Sequence, residues 1–192
     1  MDNKTRTFIA LTIPVQDTSW IAESVRQGKT AALPKLKWVA ESNLHVTLKF
    51  LGDLTTDKVR FLQDQVPAII SKYPKFEVTI GRIGAYPDQR RPKVLWLGME
   101  APEALFLLQK EIDTLCLKIG VPKENRPFSA HITLARVPEN CLYEDLGKIS
   151  RWIIENRDFP TRKTAVESVI IFKSELKPDG PIYSPIKICV FE

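Results

Sequence analysis

Apolar residues recur along this chain with two beats. A two-residue beat, the period of an extended strand, runs through Arg6 to Ile13, Asn43 to Leu51, Phe76 to Ile83, Val94 to Gly98, Ser129 to Ala135, Val166 to Phe172 and Tyr183 to Val190. Leu36 to Val39 adds a short extended piece, and Gly52-Asp53 is expected to turn the second strand. Between these runs apolar residues return every three or four positions, the helical beat. Asp17-Thr18 is expected to cap a first helix carrying Trp20, Ile21 and Val25, with Gly28 ending it. Thr55-Thr56-Asp57 caps a second, which places Val59, Leu62, Val66 and Ile69 on one face and contains Pro67, a residue that bends or shortens a helix. Pro102-Glu103 opens a third helix, closed by Gly120, with Leu105, Leu108, Ile112 and Leu115 as its core stripe; Leu142 to Glu155 is the fourth.

The order of these elements repeats. A strand, a helix and a strand pair follow one another twice, which points to an internal duplication with two similar lobes. Hairpin-joined strands with helices against them imply an α+β class built on largely antiparallel sheet. A chain of 192 residues that is 44% hydrophobic can bury a sizeable core. One domain over 1–192 is expected.

The chemistry-bearing residues narrow the picture. The formal charge of +5 suits an anionic ligand without demanding nucleic acid. Cys116, Cys141 and Cys189 are odd in number and far apart, which speaks against a disulfide framework or a zinc site and favours a reducing compartment. The apolar opening run is too short to span a bilayer, so a cytoplasmic protein without a membrane partner is expected.

The chain has two histidines, and both stand in one frame: His45-Val46-Thr47-Leu48 and His131-Ile132-Thr133-Leu134, 86 residues apart. In a strand, residues two apart share a face. Each frame is therefore a unit, with its His and Thr on one side and its apolar pair anchored on the other. Where two such strands meet, two imidazoles and two hydroxyls converge. One imidazole can accept a proton while the other donates one, and hydroxyls can hydrogen-bond phosphate oxygens as charge develops. In-line attack on a phosphodiester needs this arrangement. No cluster of carboxylates or cysteines beside the histidines suggests a metal, and no cofactor is expected.

Several segments carry a resemblance: Arg6 to Ala10, Asn43 to Gly52, Arg91 to Gly98, Arg126 to Arg136, and Ser174-Glu175-Leu176 with Gly180 to Tyr183. The chain resembles the 2H phosphoesterase superfamily, and within it the RNA 2′,3′-cyclic phosphodiesterases, once called 2′-5′ RNA ligases. The resemblance implies a bilobed α+β fold: two antiparallel sheets related by a pseudo-twofold axis, helices on the outer faces, and the active cleft between the lobes. It implies hydrolysis of a terminal 2′,3′-cyclic phosphate to a 2′-phosphomonoester without a metal, His45 serving as proton donor and His131 as proton acceptor. It implies that Thr47, Thr133 and Arg136 hold the phosphate and that Phe50 stacks on the base. Simple strand parity would turn Phe50 and Arg136 away from the histidines, so a bulge or a strand end must re-aim both. The expected partner is RNA with a 2′,3′-cyclic phosphate end or a related small cyclic phosphate, bound by a monomer. Action on a different cyclic phosphate or reversible 2′-5′ RNA ligation is the second enzymatic reading, and an RNA-end-binding module without turnover the non-enzymatic one.

Overall fold

The structure, a computed structural model, describes residues 4–26, 36–178 and 180–192. The expected end of the first helix at Gly28 lies outside these residues. The strands are β1 (Thr5–Thr12), β2 (Lys37–Trp38), β3 (His45–Leu54), β4 (Phe76–Tyr86), β5 (Val94–Glu100), β6 (His131–Arg136), β7 (Arg162–Val166), β8 (Ser168–Lys177) and β9 (Gly180–Val190). The helices are α1 (Val15–Ser24), α2 (Thr56–Ile70), α3 (Glu103–Leu117) and α4 (Tyr143–Glu155).

Three local expectations need correction. Asp17 and Thr18 lie inside α1, which begins behind Pro14. Asp17 is buried and accepts from Arg162 and Thr164 of β7, so its carboxylate ties helix to sheet instead of capping. Gly52-Asp53 does not end β3. Leu51 bulges out of register there, Gly52 takes φ 67°, a conformation open to a residue without a Cβ, and the strand continues to Leu54. Finally, β7 has no counterpart among the expected strands. Its sequence is charged at one end and alternates too briefly to stand out, as suits an edge strand. Pro67 lies within α2 and the helix runs on to Ile70.

The nine strands form one sheet in the order β7-β4-β5-β6-β3-β1-β8-β9, with β2 paired beside β6. Every pairing is antiparallel. The order reads as two four-strand halves that meet at β6 and β3 through one residue pair, Val46 with Ile132. The halves are related by a constant sequence offset. Against β3, β1 places Leu11 beside Val46, Ala10 beside Thr47 and Phe8 beside Phe50; against β6, β5 places Leu97 beside Ile132, Trp96 beside Thr133 and Val94 beside Arg136. Each second-half residue lies 86 positions after its counterpart, the same interval as between the histidines. The next strands obey the rule too, with Phe172 on Phe8 matching Tyr86 on Val94. The duplication thus reaches the level of single residue pairs.

The halves also exchange strands. β4 belongs to the first sequence repeat yet pairs with β5 of the second, while β8 of the second pairs with β1 of the first. The exchange locks together two halves that one ladder pair alone would hold weakly. Val46, Leu48, Ile132 and Leu134 are buried under the helices, where the α3 stripe Leu105, Leu108, Ile112 and Leu115 meets them in the core. Among the described residues, no helix is long and apolar enough to cross a membrane.

Candidate active site

The seam between the halves carries both histidine frames. Antiparallel pairing of Val46 with Ile132 sets His45 opposite Thr133 and Thr47 opposite His131, so the two frames lie side by side along the seam. All four residues are half-buried on the face opposite the helices, whereas the intervening Val46 and Ile132 are fully buried.

Each ring is oriented in the same way. His45 Nδ1–H donates to the carbonyl oxygen of Asn43 at 2.7 Å, and His131 Nδ1–H donates to that of Ser129 at 2.7 Å. A carbonyl can only accept, so Nδ1 must carry hydrogen in both rings. This leaves Nε2 of each ring as the working nitrogen: a lone pair when the ring is neutral, an N–H when it is charged. His45 Nε2 lies 3.0 Å from Thr47 Oγ1. Asn43 is itself held, donating its side-chain N–H to the carbonyl of Pro181 at 3.0 Å.

The surroundings differ. His45 is walled by Phe8 (ring centroids 5.0 Å apart), Tyr183 (5.4 Å, edge-on) and Phe172 (6.4 Å). His131 is walled by Tyr86 (5.2 Å, edge-on) and Trp96 (6.4 Å). Burial among the aromatics pushes His45 below the ordinary imidazole value, the Asn43 carbonyl resists, and the nearby His131 pushes it further down. Burial raises the Tyr183 phenol, while Arg136 and Arg6 pull it back. Arg136 thus acts electrostatically on a ring that packs against His45.

Two matched bulges bring the remaining expected residues round. Between Ile9–Lys49 and Ala10–Thr47, Leu48 is left over; between Leu95–Ala135 and Trp96–Thr133, Leu134 is left over. Each extra residue flips the parity beyond it. Lys49 and Ala135 therefore join Leu48 and Leu134 in burial, and Phe50 and Arg136 emerge again on the histidine face, Phe50 being 61% exposed. Phe50 and Arg136 are counterparts under the repeat, and so are Lys49 and Ala135.

Lys49 is almost fully buried and donates to Asp113 of α3 at 2.5 Å and to the Pro122 carbonyl at 2.7 Å, with Glu124 at 3.7 Å. It pins the bulge under Phe50 to the segment leading into β6. That segment lines a hollow beside Phe50 together with Lys123, Asn125 and Arg126. Among the described residues, no group of three or more His, Cys, Asp or Glu side chains is gathered as metal ligands would be.

The aromatic walls Phe8, Tyr86, Phe172 and Tyr183 lie outside the set of residues expected at the site. A signal existed: aligning the halves on their histidines sets Tyr86 over Phe172, and an aromatic repeated at one position of a duplicated site invites attention.

The family model described as "LigT like Phosphoesterase" matches twice, over residues 13–96 and 97–183, one match per repeat. An RNA 2′,3′-cyclic phosphodiesterase of Methanothermobacter thermautotrophicus is 32% identical over 96% of this chain and 98% of its own length. One of Thermotoga maritima is 32% identical over 97% and 96%. Among solved structures, E. coli LigT complexed with 3′-AMP superposes with a TM-score of 0.75 at 26% identity, covering 98% of this chain and 99% of that one. A Thermus thermophilus protein superposes with a TM-score of 0.78 at 23% identity over 97% of each chain, which speaks to the fold. With both repeats matched by one family model and near-full-length relatives at this identity, the chain belongs to the LigT-like phosphoesterase family.

Proposed function

We propose that this protein hydrolyses the 2′,3′-cyclic phosphate at the end of an RNA to a 2′-phosphomonoester, without a metal ion. The observation that carries this is the pair of imidazoles on adjoining strands, each with Nδ1 fixed by a carbonyl two residues back and Nε2 left for proton transfer. The substrate fits the relatives, which are named for this reaction.

His131 Nε2, neutral, takes a proton from water as the water oxygen bonds to phosphorus. His45 Nε2–H gives a proton to the 3′ oxygen as the P–O3′ bond breaks, leaving a 2′-phosphate and a 3′-hydroxyl. Thr47 and Thr133 donate to the non-bridging oxygens, where charge accumulates. Arg136 adds a positive charge, and Phe50 offers an exposed ring on which the terminal base stacks. Burial favours a neutral His45 in the free protein. The arriving phosphate brings a negative charge beside the ring, which favours the protonated form that the donor role requires. The two halves act as one domain, since each supplies one histidine. A cytoplasmic setting fits cysteines that form no disulfide among the described residues.

The test is incubation of a 2′,3′-cyclic-phosphate oligonucleotide with the protein in excess chelator, followed by identification of the product end. A 2′-phosphate, formed at an undiminished rate, is expected. A 3′-phosphate would overturn the assignment of the leaving oxygen, and loss of turnover in chelator would overturn the metal-free mechanism.

A further inference from the structure

We propose that a hollow on the far side of Trp96 is a second subsite, which grips the backbone of the RNA strand on the 5′ side of its reacting end. This rests on the RNA reading above and extends it beyond the terminal nucleotide. The hollow is lined by Arg82, Gly84, Asp88, Gln89, Arg90 and Trp96. Trp96 is its shared wall with the histidine site, since the same indole packs against the His131 ring and pairs through its backbone with Thr133. The rest of an RNA whose 3′ end sits between the histidines must leave the site in some direction, and this wall opens directly onto two arginines.

The hollow is a departure from the duplication. At the matching place in the first half, Ala10 and Ile170 stand where Trp96 and Gly84 stand here. The indole lies flat on Gly84: a Cβ at that position would fall 2.2 Å from Trp96 Cζ2. The pair is therefore a matched replacement, with a large flat ring admitted by an absent side chain. Trp96 Nε1 is buried with no hydrogen-bond partner, an arrangement that costs about 1–3 kcal/mol.

The charge in the hollow is positive and available. Arg82 and Arg90 are exposed, and among the described residues neither guanidinium is held in an ion pair. The carboxylate in the lining, Asp88, accepts the backbone N–H groups of Arg90 (2.7 Å) and Arg91 (3.0 Å) through Oδ1, which shapes the hairpin tip and leaves two guanidiniums against one carboxylate in the hollow. Arg82 sits at a bulge between buried Gly81 and Ile83 with φ 62°. A left-handed non-glycine residue of this kind costs about 1–3 kcal/mol, and its effect here is to turn the arginine out of the sheet and into the hollow. On the other side, Val94 pairs with Arg136, so the hairpin adjoins the arginine of the histidine face. Arg136 thus stands at the base of the hairpin whose arms carry Arg82 and Arg90.

The test compares the wild type with the Arg82→Ala/Arg90→Ala double variant on two substrates: a 2′,3′-cyclic mononucleotide and an oligonucleotide of about ten residues with the same end. Both side chains are exposed, and unchanged thermal melting will show that the variant folds. The expected result is a fall of about tenfold or more in the ratio of oligonucleotide to mononucleotide kcat/KM, carried by KM. The salt dependence of oligonucleotide KM should flatten, its log–log slope falling by about one to two. An unchanged ratio and slope would overturn the subsite. In parallel, fluorescence anisotropy reads binding of the labelled oligonucleotide carrying a plain 3′-hydroxyl. A Kd raised about tenfold in the variant supports the subsite even if neither protein turns over a cyclic phosphate, an outcome that would sink the proposed reaction alone. An unchanged Kd would overturn the subsite whatever the enzyme does.

Discussion

The two halves share a register to the residue, yet they treat their histidines differently. His45 is enclosed by three aromatic rings and pushed toward neutrality, with Thr47 already in contact. His131 is flanked by two rings, one of which borders the arginine-lined hollow. Beneath the bulges the contrast is sharper: the first half buries a lysine held by Asp113, the second an alanine. The backbone repeat delivers equivalent histidine–threonine frames, and the packing around them makes the frames inequivalent.

The severest way to break the comparison is to remove one imidazole at a time. His45→Ala and His131→Ala should each lower kcat by about 10²- to 10⁴-fold, the usual contribution of a positioned acid or base. The double variant should lose little more than the worse single, because the two act as a unit. Full activity in either single variant would rule out the paired mechanism.

Next comes the buried lysine. Lys49→Met strands Asp113 without its partner, and breaking such a pair typically costs about 3–5 kcal/mol. Chemical denaturation should show this loss. Adding Asp113→Leu should recover much of it, whereas Ala135→Ser at the equivalent bulge should cost less than Lys49→Met. A Lys49→Met protein as stable as wild type would refute the role given to the pair.

The threonines should differ by degree. Loss of a hydrogen bond to a charged group costs about 1.5–3 kcal/mol, so Thr47→Val and Thr133→Val should each reduce kcat/KM by roughly ten- to a hundredfold. Thr47 also touches His45 in the free protein, so Thr47→Val alone should shift the pH–rate profile; identical profiles for the two variants would erase the distinction.

The smallest effect is on stability against pH. Folding lowers the His45 value below 6.5, so the unfolded chain binds that proton more readily. The contribution of His45 to stability is complete above about pH 6.5 and is lost as the pH falls toward the folded value. Melting temperatures recorded from pH 8 to pH 5 should fall less steeply for His45→Gln than for wild type. Equal slopes would remove the burial difference between the halves.

Much of this was legible in the sequence, and the unread part has physical causes. The frames of His45 and His131 announced their own faces because strand parity is local. Even the parity conflict at Phe50 and Arg136 was informative, since it required a bulge or a strand end, and Leu48 and Leu134 supply bulges. The repeat was visible as an order of elements, but its single-residue register was not, because outside the frames the halves share backbone pairing more than side chains. β7 escaped notice because Arg162–Val166 owes its strand state to β4 and Asp17 rather than to its own pattern. Lys49 escaped because a lysine in an alternating run reads as solvent-facing; only the bulge, with Asp113 64 residues away, makes it a buried anchor.

The equivalence of Phe50 and Arg136 has a last consequence. A duplicated site presents the same His-x-Thr frame from either side, so the motifs themselves carry no instruction about which histidine would do which task. The ribose, which has no such symmetry, must supply it. A base stacked toward Phe50 sets the 3′ oxygen at His45; turned end for end, toward the arginine, the same molecule would set it at His131 and still yield a 2′-phosphate. Under the proposed reaction, one aromatic ring opposite one guanidinium would then act with the unequal packing of the two histidines to give the reaction its direction across the seam.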